Sequence, residues 1–351
     1  MLDKTVLHDS ADRGIRLVAL SLLSDAQKAS EQFAHAARKS HATAECDVAL
    51  HDFRVANRRL RSWLRTFRPS LRDAVAGRHR RRLSAIADAT NGARDATVHL
   101  EWLHDERRAL TGTERVGDTF LRKRLRAEHK GAVDAALAAA ADFDTIAAKL
   151  HRRLGASLEE AQEHEDAIHF SAVLAEHVRE QSDAMREHLA GIREFSDIDA
   201  IHRARISAKR LRYLIEPAEE AVSGGGAILE TLKELQDALG SLHDVHVFSQ
   251  ELVTAAEEGA AKQAARMLKV INSSDADDER VRGVGARDPV PGLIQLASRL
   301  HERGVRTYAT VEHDWLKDGA APFFVRVRVF AATLATWAPS RADARRPRER
   351  R

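Results

Sequence analysis

His51–Pro69 reads HDFRVANRRLRSWLRTFRP. Placed on an α-helix at about 100° per residue, it divides into two faces. His51, Arg54, Arg58, Arg61 and Arg65 share an arc of roughly 80°, one cationic group about every turn. Phe53, Leu60, Trp63, Leu64, Phe67 and Leu71 lie on the other side, enough apolar surface to seat the helix on a core. At 1.5 Å rise per residue the stripe runs about 21 Å. Like charges stacked along one face repel, so the stripe is costly unless an anion lies along it. A single basic face is more often a solvated surface neutralised by acids on neighbouring helices.

A second copy changes that weighting. His202–Tyr213, HRARISAKRLRY, aligns without a gap at an offset of 151 residues. His51 matches His202, Arg54 matches Arg205, Val55 matches Ile206, and Arg58 matches Lys209. Arg59-Leu60-Arg61 returns as Arg210-Leu211-Arg212, and Leu211, Leu214 and Ile215 again oppose the stripe. Repetition at so long a period predicts two similar halves rather than a solenoid of short units.

The doubled pattern H-x-x-R-[VI]-x-x-[RK]-R-L-R in a helical chain resembles the CHAD family, named for a conserved histidine α-helical domain. The resemblance continues at Ala93-Arg94-Asp95 and Leu242-His243-Asp244, where the family tends to carry a Gly-x-x-Arg-Asp-like turn. Gly240 fits, Asn91-Gly92 approximates it, and His243 departs by standing where the family has arginine. The likeness covers roughly residues 12–337. It implies an all-α fold of two pseudo-symmetric four-helix bundles from an internal duplication. It also implies basic surfaces that bind inorganic polyphosphate.

The 351 residues allow two halves of ordinary size, each able to bury its own core. Charged residues at 31% and aromatics at 5% suit long helices and disfavour a β-rich fold. The net charge of +3 hides a local field, because residues 51–82 hold eleven arginines against two aspartates. One cysteine, Cys46, excludes an intramolecular disulfide and fits a reducing cytosol. No apolar run is long enough to span a membrane, and residues 1–14 lack the apolar stretch of a signal peptide. A cytoplasmic protein is expected, associated with polyphosphate granules if the resemblance holds.

In order, a first helix is expected from about residue 12, then the motif helix to Pro69. A third spans roughly 79–110 with an interruption at Asn91-Gly92, and a fourth spans 118–153 with Gly155 as its stop. The acidic run 158–166 marks the join, so residues 1–165 and 166–338 are the expected halves. In the second half, 228–259 is expected as a helix or helix pair and 272–292 as a loop. Residues 339–351 form an arginine-rich tail with no core residues, expected to be mobile.

The eighteen histidines raise the possibility of metal, but only Glu101-Trp102-Leu103-His104 has the spacing of a helical carboxylate site, so no metal site is expected. No nucleophile elbow, Ser/His/Asp order or Cys/His pair stands out, and no catalytic residue or cofactor is assigned. Asp95 and Asp244, at matching places, are expected to pair with stripe arginines and orient them. The expected site is His51, Arg54, Arg58, Arg61 and Arg65, with His202, Arg205, Lys209, Arg210 and Arg212. His51 and His202 are expected to gain their charge as pH falls from about 8 to 6. Electrostatics alone does not separate polyphosphate from nucleic acid. With the aromatics of the motif helix directed to the core, a face of forks and ammonium groups suits bare phosphates best. Nucleic acid is the alternative, and a metal-dependent phosphohydrolase a more distant one.

Overall fold

In the computed structural model, residues 4–41, 43–160, 168–273, 278–317 and 319–337 are described. Those residues are built from helices and contain no β-strand. After a short 3-10 turn at Lys4–His8 come α1 (Ala11–Lys39), α2 (Ala44–Thr66), α3 (Gly77–Ala89), α4 (Asn91–Glu106) and α5 (Gly112–Glu160). They are followed by α6 (Phe170–Ala190), α7 (Ile198–Ile215), α8 (Gly225–Ile271), α9 (Asp278–Gly285), α10 (Val290–Trp315) and α11 (Ala321–Ala335).

The motif helix α2 starts where Thr43, as N-cap, accepts a hydrogen bond from the Cys46 backbone N–H at 3.2 Å. Glu45 and Asp47 in its first turn favour the positive end of the helix dipole. Phe53, Leu60, Trp63 and Leu64 are buried. Trp63 donates its Nε1–H to the Ile15 carbonyl at 3.0 Å and packs its ring against Phe67 and Phe170. One side chain thus ties α2 to both α1 and α6.

Four expectations shift. The break in the third helix falls at Thr90, one residue early, and splits it into α3 and α4. Gly155 does not stop α5, which runs to Glu160: an isolated glycine costs helix stability but need not end a helix held by packing. The region around 228–259 is one helix, α8, extended at both ends. Residues 272–292 are not all loop, since α9 and the start of α10 lie within them. Much of the acidic join and the arginine-rich tail lie outside the described residues.

The buried apolar side chains do not separate at residue 165. One core runs from α1, α2, α3 and the second half of α5 into α6, α7, α8 and α11. A smaller core joins α4 and the first half of α5 to α8 and α10, through Trp102, Leu121, Phe248 and Leu296. Helices α5 and α10 cross closely at two glycines. A Cβ at Gly292 would collide with the Thr113 carbonyl oxygen, and one at Gly117 would lie 2.6 Å from the Gly292 carbonyl carbon. With both halves sharing their apolar surface, α2 and α7 are held against each other.

Candidate functional site

Helices α2 and α7 meet along their basic stripes. Arg54, Arg58, Arg205 and Lys209 are each half-buried in this seam. The charge of Arg58 acts on Arg205 and Lys209, and that of Arg54 acts on Lys209. Under the offset of 151, Arg58 with Arg205 and Arg54 with Lys209 are the same pair. The seam therefore brings together, from two distant stretches of chain, residues that the sequence placed in one helical phase.

Burial and crowding leave a mark on these groups. Burial first, then Arg205 and Arg58, push the Lys209 ammonium down to about 6. Burial and Arg58 lower Arg54 to about 10, only partly offset by Asp95, and Arg205 shifts the same way for the same first cause. A guanidinium stays charged at any ordinary pH, so its lowered value measures the cost of holding the charge there. None of Arg54, Arg58, Arg205 and Lys209 makes an ion pair within 4.0 Å among the described residues. Arg54 donates to the Thr90 hydroxyl at 2.8 Å, and the Arg205 Nε is buried without a hydrogen-bond partner.

Asp95 and Asp244 lie close enough to feel these cations and, for Asp95, to feel Asp244. Neither forms the expected ion pair with a stripe arginine within 4.0 Å among the described residues. Burial raises both carboxyls above the usual range despite the surrounding arginines. They moderate the field of the seam without neutralising it.

The other expected residues sort by position. His51 lies in the field of Arg94, while the His202 ring centroid is 5.2 Å from that of His243. Burial lowers both His51 and His202, and takes His243 down to about 4 with help from Arg205. Burial among arginines thus pushes the protonation expected between pH 8 and 6 toward lower pH. Arg61 turns aside to donate to the Ser84 hydroxyl at 2.9 Å, and burial lowers it as well. Arg65 and Arg210 sit together at one end of the stripes, lining a cavity of about 360 Å³.

Arg212 is held by Glu216, whose Oε1 accepts from Arg212 Nε at 3.0 Å and from Arg59 Nη2 at 2.8 Å. Arg59 also lies with its Cζ 6.0 Å from the centre of the buried Tyr213 ring. Arg59 is absent from the expected site, although the offset pairs it with Arg210, which belongs to that site. Its partner Glu216 stands at the position of Arg65 under the same offset, a carboxylate where the other stripe ends in a cation. Replacing Glu216 by Gln is expected to free Arg59 and Arg212 for an anionic ligand. Affinity for long polyphosphate should rise about threefold to tenfold. The log–log salt slope should steepen by about 0.7 for each phosphate newly engaged, read from titrations at several salt concentrations.

A family model described as the CHAD domain matches residues 27–253 of the chain. Among solved structures, the crystal structure of the CHAD domain from the plant Ricinus communis is similar with a TM-score of 0.56. The two are 22% identical in sequence, and the match covers 81% of this chain and 93% of that one. At this identity the likeness is one of fold. No curated protein matches the chain. Among the described residues, no group of three or more His, Cys, Asp or Glu is placed to hold a metal ion, and no helix is long and apolar enough to cross a membrane.

Proposed function

The chain belongs to the CHAD domain family, and from that premise we propose that it binds inorganic polyphosphate, without chemistry, along the seam between α2 and α7. The observation that carries this reading is the set Arg54, Arg58, Arg205 and Lys209: four half-buried basic groups from two helices, without ion-pair partners among the described residues. Such a cluster costs the fold free energy, and a chain of phosphates supplies the missing counter-charges in a row. Arg65 and Arg210 extend the row, while His51 and His202 add to it when protonated. Arg61 and Arg212 join it by leaving their present partners.

A phosphate chain fits better than a nucleic acid because, among the described residues, the Phe, Trp and Tyr side chains of α2 and α7 are not free for bases to stack on. Phe53, Trp63 and Phe67 are buried in the core, and Tyr213 is buried beneath Arg59. The internal duplication supplies the two matching stripes, and residues 1–165 and 166–338 are its two halves. The same reading places the protein with polyphosphate granules in a cytoplasm.

The test is a competition titration of long polyphosphate against single-stranded DNA and RNA, with released phosphate monitored. Polyphosphate should displace both nucleic acids at equal phosphate concentration, and no phosphate should appear at a turnover rate. Equal affinity for all three polymers would favour the nucleic-acid reading. Steady phosphate release would favour an enzyme.

A further inference from the structure

Next to the seam lies a cleft of about 1060 Å³ between the start of α2, α4 and α5. His51 and Arg94 line it and also belong to the electrostatic neighbourhood of the seam, since Arg94 acts on His51, Arg54 and Asp244. The cleft therefore continues from the end of the stripe that His51 marks.

Its far wall is a third basic row. Arg122, Arg126 and Lys130 stand at i, i+4 and i+8 on α5, one face rising about 12 Å. Arg126 and Lys130 are exposed and form no ion pair among the described residues. Arg122 is held through its Nε by Asp118 at 2.8 and 2.9 Å, but its Nη2 is buried without a hydrogen-bond partner. Of the three acids of the cleft, Asp47 Oδ1 accepts from Thr97 at 3.2 Å and lies 3.1 Å from His129 Nε2, Glu101 is 4.0 Å from Arg94, and the exposed Asp105 forms no ion pair among the described residues. Ala44, Val48 and Leu100 also line the cleft. Past Arg122 and Arg126 a smaller hollow of about 370 Å³ adds Arg107 and Lys123.

We propose that this cleft is a second anion subsite, which takes the segment of a long polyphosphate chain that leaves the α2–α7 seam past His51 and Arg94. The assignment rests on the polyphosphate reading of the seam. Its consequence is selection by length. A short chain fills the seam alone, whereas a long one engages seam and cleft together, and the second contact forms at the high effective concentration set by the first.

The experiment compares tripolyphosphate with a chain of about 100 phosphates, titrated against the full-length protein and against Arg126→Gln/Lys130→Gln. Both side chains are exposed, so the fold is retained. In the variant, long-chain affinity should fall about tenfold or more, and its salt slope should flatten by about 1.4, two contacts' worth. Tripolyphosphate affinity should stay within about twofold of the unaltered protein. Unchanged long-chain affinity, or an equal loss at both lengths, would overturn the proposal. Arg58→Ala separates this outcome from the fate of the seam: it should weaken both lengths, and if it weakens neither, the seam reading fails and the path from seam to cleft with it, whereas a loss at both lengths beside an unaffected Arg126→Gln/Lys130→Gln leaves the seam standing and overturns the cleft alone.

Discussion

Arg58→Ala/Lys209→Ala is expected to bind long polyphosphate about 100-fold or more weakly than the unaltered protein, against about tenfold or less for each single change. The loss should exceed the sum of the two single losses in free energy, for a reason visible in the seam. Arg58 is one of the cations that depress Lys209. Removing Arg58 alone relieves Lys209, which then carries more charge at neutral pH and offsets part of the damage. With both gone, no such compensation remains. The fold should not suffer, because thinning a crowded, half-buried set of cations removes repulsion and desolvation cost. Stability by thermal melt is expected to hold or rise, by roughly 1–2 kcal/mol. A double variant whose binding loss merely tracked a fall in melting temperature would refute this explanation.

Binding should tighten as the solution is acidified, with Lys209 setting the upper part of the profile. In the unliganded protein its amine titrates at about 6, so most molecules present it neutral at pH 7 to 8. A bound phosphate favours the ammonium form and raises that value, so binding takes up a proton over the interval between the two. Affinity is therefore lost as pH climbs from about 6 toward 8, by up to about tenfold per pH unit, the limit for one proton. Below about 6 this contribution is flat; His51 and His202, held below the usual imidazole range, add to the tightening as they protonate. Raised Asp95 and Asp244 act in the same direction as they protonate. The sign for stability is separate. Because the folded value of Lys209 lies below its ordinary 10.5, this group favours the folded state most at high pH and least at or below about 6. Titrations at pH 6, 7 and 8 at constant ionic strength, repeated with Lys209→Met, provide the check. The slope between 6 and 8 should largely vanish in the variant, and a slope that persisted would exclude Lys209 as its source.

The helices and their basic faces are legible because a period of 3.6 residues is written into where Arg54, Arg58, Phe53 and Leu60 stand. The adjacency of α2 and α7 is legible only through repetition: no property of either stretch alone states that they touch. The Asn91-Gly92 pair signals a break within a residue of its true place, but Gly155 misleads, because its local preference is outweighed by the packing of Phe143, Ile146, Leu150 and Leu154 along α5. What stays hidden depends on burial. Lys209 and Arg205 read as surface cations in the sequence, and only the approach of a second basic helix makes them half-buried and crowded. The same burial keeps the histidines neutral to lower pH than their chemistry alone implies. Burial also raises Asp95 and Asp244, which make none of the expected ion pairs among the described residues. Arg59 and Glu216 show a further limit, since the pair joins residues 157 positions apart and breaks the symmetry of the repeat. The third row on α5 has a readable i, i+4 pattern, but nothing in the sequence places it beside His51.

A phosphate chain that lies across both helices must cover Lys209, and acylation of that amine reads this out directly. At pH 7 the largely neutral Lys209 should react with an amine-acylating reagent faster than an exposed lysine away from the seam and cleft, such as Lys233, and modification is located by peptide mass analysis. Saturating long polyphosphate should suppress reaction at Lys209 strongly, by turning the amine into a covered ammonium. Lys209 reacting at the same rate with and without bound polyphosphate would contradict the proposed seam.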